Sequence, residues 1–198
     1  MITKVKVLRA IYQLKAIWYR LRGIKVGKQT FISGFPWLCR RYGGEIIIGD
    51  NVTLHSKRRY NTLITHQVSI STITPEAVVE LHYNCGLSGC KIVCANRVSI
   101  GEYTIIGPDT VIYDCKQHDY DKTVGWLRCK KTTGKPIIIG KRCFIGMRCI
   151  ILKGVTIGDN CVISAGTIIT KDVPPGHLAS GNPAVYTPLA PHNGGPIN

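Results

Sequence analysis

Isoleucine recurs every six residues along the C-terminal half of the chain. Ile139, Ile145, Ile151, Ile157, Ile163 and Ile169 follow one another without a slip. A second run is Ile100, Ile106 and Ile112, and a looser third is Leu81, Leu87 and Val93. Weaker traces are Val26 with Ile32, and Ile48 with Leu54. Four residues after the anchors stands a small or β-branched residue: Thr104, Thr110, Cys143, Cys149, Val155, Cys161, Thr167 or Val173. Glycine follows many anchors directly, as at Gly101, Gly107, Gly140, Gly146 and Gly158. A period of six cannot keep one face of a 3.6-residue helix over such a length. It fits a short strand and a turn, repeated. The anchor points inward, the small residue fills the corner, and Gly, Asp or Asn takes the turn. Three such sides close a triangular coil, and coils stack as parallel strands about 4.8 Å apart.

Composition agrees with strands rather than helices. The chain has 27 Ile and 15 Val against 12 Leu and 8 Ala, and β-branched residues favour the pleated surface. At 198 residues and 44% hydrophobic it is long enough for one domain with a core. No stretch is apolar enough to span a bilayer and no signal peptide fits, so a cytoplasmic chain with reduced thiols is expected. The nine cysteines cannot all pair within one chain. Cys85, Cys143, Cys149 and Cys161 fall at or near the inward small position and read as core filler. The only tight pair, Cys90 and Cys94, lacks a second pair at zinc spacing, and no metal is expected.

The repeat breaks once in an informative way. After Ile112 the next clear anchor is Ile139. The intervening segment, residues 115–135, reads as a long loop leaving one corner of the prism, and such loops usually carry function. It is entered through Asp114-Cys115-Lys116-Gln117-His118-Asp119 and runs past Trp126 and Arg128 to Gly134-Lys135-Pro136.

The pattern of an aliphatic anchor, Gly, and a small residue four positions on resembles the hexapeptide-repeat acyltransferases. The similarity covers most of Val79–Val185. It implies an all-β fold, a left-handed parallel β-helix, and a closed homotrimer. The run Asp114-x-x-x-His118-Asp119 followed by Pro136-Ile137-x-Ile139-Gly140 is similar to the catalytic segment of the sugar and antibiotic O-acetyltransferases. By that resemblance His118 is the general base. An imidazole has the pKa to take a proton from an acceptor hydroxyl near neutral pH. The alternative is an exposed loop histidine. Asp114 is a candidate to orient His118 through its other ring nitrogen, or else a solvated turn aspartate. Asn84 resembles the family's asparagine near the acceptor and the oxyanion, or is a turn residue at a corner. His82 and Trp126 are candidates to line the acceptor site. Serine O-acetyltransferase shares the scaffold, and a non-catalytic solenoid that presents surfaces to partners is the reading from another class.

The tail from Ile157 to Pro175, then Ser180-Gly181-Asn182-Pro183-Ala184, is similar to the coenzyme A-binding end of these enzymes. By that match Met147 and Ala165 border the pantetheine arm of acetyl-CoA, and Thr170 and Lys171 lie near its phosphates. Met147 and Ala165 are three repeats apart, which stacks them at equivalent corners. Val185, Tyr186, Thr187 and Pro188 stand where the family often has basic residues.

Net charge is +15. That suits anionic partners, of which coenzyme A is one. No nucleic-acid-binding signature appears. The sharpest basic segment is residues 1–23. There Lys4, Lys6, Arg9, Lys15, Arg20 and Arg22 interleave with Val7, Leu8, Ile11, Leu14, Ile17, Trp18 and Leu21. It reads as a basic amphipathic helix, docking on a neighbouring subunit or lying peripherally on the inner, anionic face of a membrane. The expected organisation is this helix, a β-helix over residues 24–185, and a tail over 186–198. The expected activity is acetyl transfer from acetyl-CoA to a saccharide hydroxyl, in surface-polysaccharide assembly.

Overall fold

The computed structural model describes residues 2–190, with the side chains of residues 2–10, Lys130 and Lys131 excepted. Met1 of the expected helix, residues 191–198 of the expected tail, and the side chains of Lys4, Lys6, Val7, Leu8 and Arg9 lie outside the described residues. One helix, α1 (Ile2–Leu21), precedes the strands. The first coil is β1 (Lys25–Val26), β2 (Phe31–Ser33) and β3 (Trp37–Arg40), followed by a 3-10 turn at Arg41–Gly43. The second is β4 (Glu45–Ile48), β5 (Thr53–His55) and β6 (Ser69–Thr72). The third is β7 (Val78–Leu81), β8 (Gly86–Ser88) and β9 (Lys91–Cys94). The fourth is β10 (Arg97–Ile100), β11 (Ile105–Ile106) and β12 (Val111–Tyr113). A hairpin, β13 (Cys115–Asp121) and β14 (Gly125–Gly134), then leaves the solenoid. The fifth coil is β15 (Ile137–Ile139), β16 (Phe144–Ile145) and β17 (Ile150–Leu152), and the sixth is β18 (Thr156–Ile157), β19 (Val162–Ile163) and β20 (Ile168–Ile169). β21 (His177–Ser180) and β22 (Val185–Pro188) finish the described chain.

Corresponding strands of successive coils pair in parallel, which gives three sheets. We call them A (from β1), B (from β2) and C (from β3). The strict run of six falls into register as the repeat requires: Ile139 beside Ile157, Ile145 beside Ile163, Ile151 beside Ile169. All six anchors are buried, and so are all eight small residues four positions on. The core is therefore a stack of identical aliphatic layers, each contacting the layer above and below. One anchor is shifted. Ile92, not Val93, points inward and pairs with Ile112, because the third coil is one residue short between Leu87 and sheet C.

The corners show why small polar residues sit inside. Thr104 Oγ1 donates to the Gly140 carbonyl at 2.7 Å and accepts from the Cys143 N–H at 3.0 Å. Thr110 does the same with Gly146 and Cys149. Cys143, Cys149 and Cys161 point their Sγ at carbonyls of the next turn. These two inward hydroxyls thus tie one coil to the next, whereas the buried Thr72 Oγ1 has no partner among the described residues. Burial pushes the Cys143 thiol up to about 11 and the Cys85 thiol up to about 12, so these sulfurs are packing groups and not nucleophiles.

The helix does something that its charge pattern does not announce. It lies over the open end of its own first coil, with Ala16 and Tyr19 in the core. The Tyr19 hydroxyl donates to the Pro36 carbonyl at 2.7 Å. Lys15 bonds the carbonyls of Ile32 and Gly34, and Arg20 those of Val26 and Gly27. Two of the basic residues are thus spent on the solenoid itself. Ile11, Leu14, Ile17, Trp18 and Leu21 remain exposed. At the other end β22 pairs antiparallel with β21, so the boundary expected at residue 186 falls inside a strand. No helix among the described residues is long and apolar enough to cross a membrane.

Candidate functional site

The segment expected as a loop is a paired hairpin. Its lower part pairs Cys115 with Gly134 and Lys116 with Thr133. After a register shift its upper part pairs His118 with Arg128, Asp119 with Leu127, and Tyr120 with Trp126. The Asp121 carboxylate closes the tip by accepting from the Thr123 and Val124 N–H groups. Gly125 takes φ +82° there, a conformation that only glycine adopts freely. His118 is exposed on β13, held by strand pairing rather than by core contacts.

Asp114 does not orient it. Its carboxylate is fully buried and accepts the N–H groups of Ala95 at 2.7 Å, Asn96 at 2.8 Å and Arg97 at 3.0 Å, with the Cys94 thiol at 3.3 Å. Burial raises its carboxyl pKa, and the N–H bonds pull the other way. The Asp114 carbonyl also accepts from Lys135 N at 2.8 Å. Asp114 is the pin that fastens both feet of the hairpin to the turn of the preceding coil. Neither a triad member nor a solvated turn residue describes it.

The remaining candidates divide among the three corners. His82 and Asn84 stand between sheets A and B, both exposed. Asn84 has φ 56° and shares its corner with Gln29, Asn51, Tyr103, Arg142 and Asn160, all left-handed. This is the corner role the sequence offered as an alternative. His82 Nε2 lies 3.1 Å from Ser99 Oγ. Met147 and Ala165 stand between sheets B and C and stack as the spacing requires, with the Gly166 N–H donating to the Met147 carbonyl at 2.9 Å. Ala165 is exposed and Met147 half-buried. A Cβ on buried Gly146 would lie 2.6 Å from the Ala165 nitrogen, so the two coils stack closely here, whereas a Cβ on exposed Gly166 would meet nothing within 4 Å, which leaves the outer side of this corner open. Thr170 and Lys171, both exposed, stand between sheets C and A, on the hairpin's corner. Trp126 is the most exposed of the three tryptophans. One protomer brings only His118, Trp126, Thr170 and Lys171 to a common corner.

A second excursion escaped the sequence reading. Between β5 and β6 residues 56–68 leave the corner of sheets B and C. Thr65 Oγ1 donates to Asp109 Oδ1 at 2.8 Å, and His66 Nδ1 lies 3.0 Å from the same oxygen. Arg148 N donates to the Pro108 carbonyl, so this cluster borders the Met147–Ala165 corner one coil away. The signal was the interval from Leu54 to the next sheet C anchor, Ile70, which is far longer than six. Among the described residues no three His, Cys, Asp or Glu side chains gather to hold a metal ion.

Residues 136–171 match the hexapeptide repeat of succinyl-transferase. YvoF of Bacillus subtilis (strain 168) is 41% identical over 98 residues, which is 48% of this chain and 51% of that one. Galactoside O-acetyltransferase of Escherichia coli (strain K12) is 56% identical over 48 residues, 24% of each chain. The chain thus spans about half, or less, of the length of the curated relatives it matches. Among solved structures, the polySia specific acetyltransferase NeuO is 22% identical with a TM-score of 0.53, over 88% of this chain and 84% of that one, a likeness of fold. Repeat, register and these likenesses agree on the fold: a left-handed parallel β-helix that carries a hexapeptide repeat over residues 136–171 and resembles the acetyltransferases built on it.

Proposed function

We propose that the protein transfers an acetyl group from acetyl-CoA to a hydroxyl of a saccharide, with His118 as general base. The observation that carries this is the exposed imidazole on the hairpin that interrupts the repeat. The resemblance to galactoside O-acetyltransferase supports the acceptor class. In the reaction His118 takes the hydroxyl proton as the oxygen attacks the thioester carbonyl. The tetrahedral intermediate collapses with the coenzyme thiolate as leaving group, and the imidazolium returns its proton to that sulfur. The open corner at Ala165 and Gly166 suits the pantetheine arm, and Lys171 offers a charge to phosphate.

The working form is a trimer. Coenzyme groove and hairpin occupy different corners of one prism, so a neighbour's corner must complete the site. The outer face of sheet B fits such a contact: Ile105 and Phe144 are paired in register and each half-exposed. The protein incubated with acetyl-CoA and a panel of sugars, with serine as control, is expected to yield acetylated saccharide by mass spectrometry. Light scattering is expected to give three times the chain mass. Ala165→Trp should weaken coenzyme A binding by about tenfold or more, since overpacking a fitted groove costs roughly 1–3 kcal/mol. Acetylserine as sole product, an active monomer, or unchanged affinity of that variant would each reject the corresponding part.

The exposed side of α1 also suits peripheral contact with an anionic membrane, with Leu14, Trp18 and Leu21 beside Arg22. Flotation with anionic vesicles should disappear as salt rises and in a Leu14→Ser, Trp18→Ala, Leu21→Ser variant. Truncating the helix is the wrong test, because it would uncover the core.

A further inference from the structure

The hairpin carries more than an imidazole. Residues directly opposite in an antiparallel pair share a face, and alternate residues along each strand share it too. His118, Arg128, Tyr120 and Trp126 therefore stand on one face. Tyr120 and Trp126 are 62% and 72% exposed, with ring centroids 5.4 Å apart and planes inclined at 62°. Two large rings left in solvent and set at an angle form a ledge, and exposed aromatic area of this kind marks a binding surface. The Arg128 side chain makes no hydrogen bond or ion pair with the described residues. It also lines a cleft between the hairpin and the first coils, with Arg41, Tyr42, Ile73, Gln117, Cys129 and Thr132. That lining has two guanidinium groups and no carboxylate. On the hairpin, Asp119 is paired with Lys116 at 2.5 Å and Asp121 with the tip N–H groups, while Glu76 lines the adjoining cleft beyond Ile73 and Thr132.

We propose that the acceptor is an anionic saccharide, its ring stacked on Trp126 and Tyr120 and its carboxylate or phosphate held by Arg128 with Arg41 across the cleft. The apolar face of a pyranose matches the ledge. A guanidinium fork matches either oxyanion. Trp126 and Arg128 are two residues apart on a strand, about 7 Å, so ring and charge belong to the same sugar or its neighbour. His118 faces Arg128 across the strands, which puts the acetylated hydroxyl beside the acidic group.

The assignment rests on the saccharide acyltransferase reading and is tested by calorimetry on the 198-residue chain. The probes are trigalacturonate and galactose 1-phosphate, with galactotriose and galactose as neutral counterparts. The acidic sugars should bind about tenfold tighter or more, as a charged hydrogen bond implies. Arg128→Gln should bring them to the neutral level and leave neutral binding unchanged. Trp126→Ala should weaken all of them and Trp126→Phe should restore most of the loss, while each variant keeps coenzyme A affinity. Preference for trigalacturonate alone identifies a carboxylate, and for galactose 1-phosphate alone a phosphate; either supports the proposal. Equal binding of acidic and neutral sugars, or no binding beside intact coenzyme A binding, overturns it. So does a Trp126→Ala variant that loses vesicle flotation or its oligomer instead of saccharide affinity. Acidic saccharide binding without release of coenzyme A in any mixture would instead reject the acyltransferase reading and leave this one standing.

Discussion

Replacing His118 with alanine is expected to lower kcat by roughly 10²–10⁴, with folding intact. The side chain is exposed on β13 and makes no core contact, and surface substitutions of that kind usually stay within about 0.5 kcal/mol. Loss of a general base falls on the chemical step, so KM for acetyl-CoA should change little. Thiol release from coenzyme A, followed alongside thermal unfolding, separates the two effects. Near-normal turnover in a folded variant of unchanged oligomeric state would remove His118 from the reaction.

Asp114→Ala should act in the opposite manner, through stability. It strands one fully buried N–H, that of Ala95, and two partly buried ones, those of Asn96 and Arg97. Each orphaned buried donor costs about 1–3 kcal/mol. Partial solvent access at two of them brings the expected loss to roughly 2–4 kcal/mol, even after the desolvation of the carboxylate is relieved. For a chain of this size that is about 2–4 °C in Tm per kcal/mol. Asp114→Asn should be nearly as harmful, since an amide has one acceptor oxygen and sets an NH₂ among N–H donors. A carboxylate that merely oriented His118 would behave differently: asparagine would then lower kcat and leave Tm alone. Unfolding and turnover measured on the two variants decide between these roles.

The solenoid was legible because its core is one-dimensional. Ile139 to Ile169 announce their own register, and a neighbour one coil away is a fixed distance in sequence. The inward places of Cys143, Cys149 and Cys161 follow from the same arithmetic. What escaped depends on pairs that no period encodes. Asp114 reaches back to Ala95–Arg97, a turn whose sequence gives no sign of needing an acceptor. Cross-strand pairing of His118 with Arg128 was hidden because the hairpin alternates poorly and shifts register between Lys116 and His118. The charges of the helix point outward to a partner surface, whereas Ala16, Tyr19, Lys15 and Arg20 are set by the open coil beneath. A strict period points to Val93, and the one-residue slip that puts Ile92 inside leaves no mark on the spacing of the coils around it.

A stack of parallel coils has no intrinsic length. Each end offers unpaired backbone groups of three strands, which is the template that fibrous assemblies extend. Here α1 covers one end, buried by Ala16 and Tyr19. Toward the other, the reversed direction of β22 ends sheet B with a strand on which no further parallel coil can register. These two elements keep one open coil and one sheet end from templating a further copy. Damage to either, as by Tyr19→Ala, exposes an adhesive end, so its cost would be read in solubility as much as in melting.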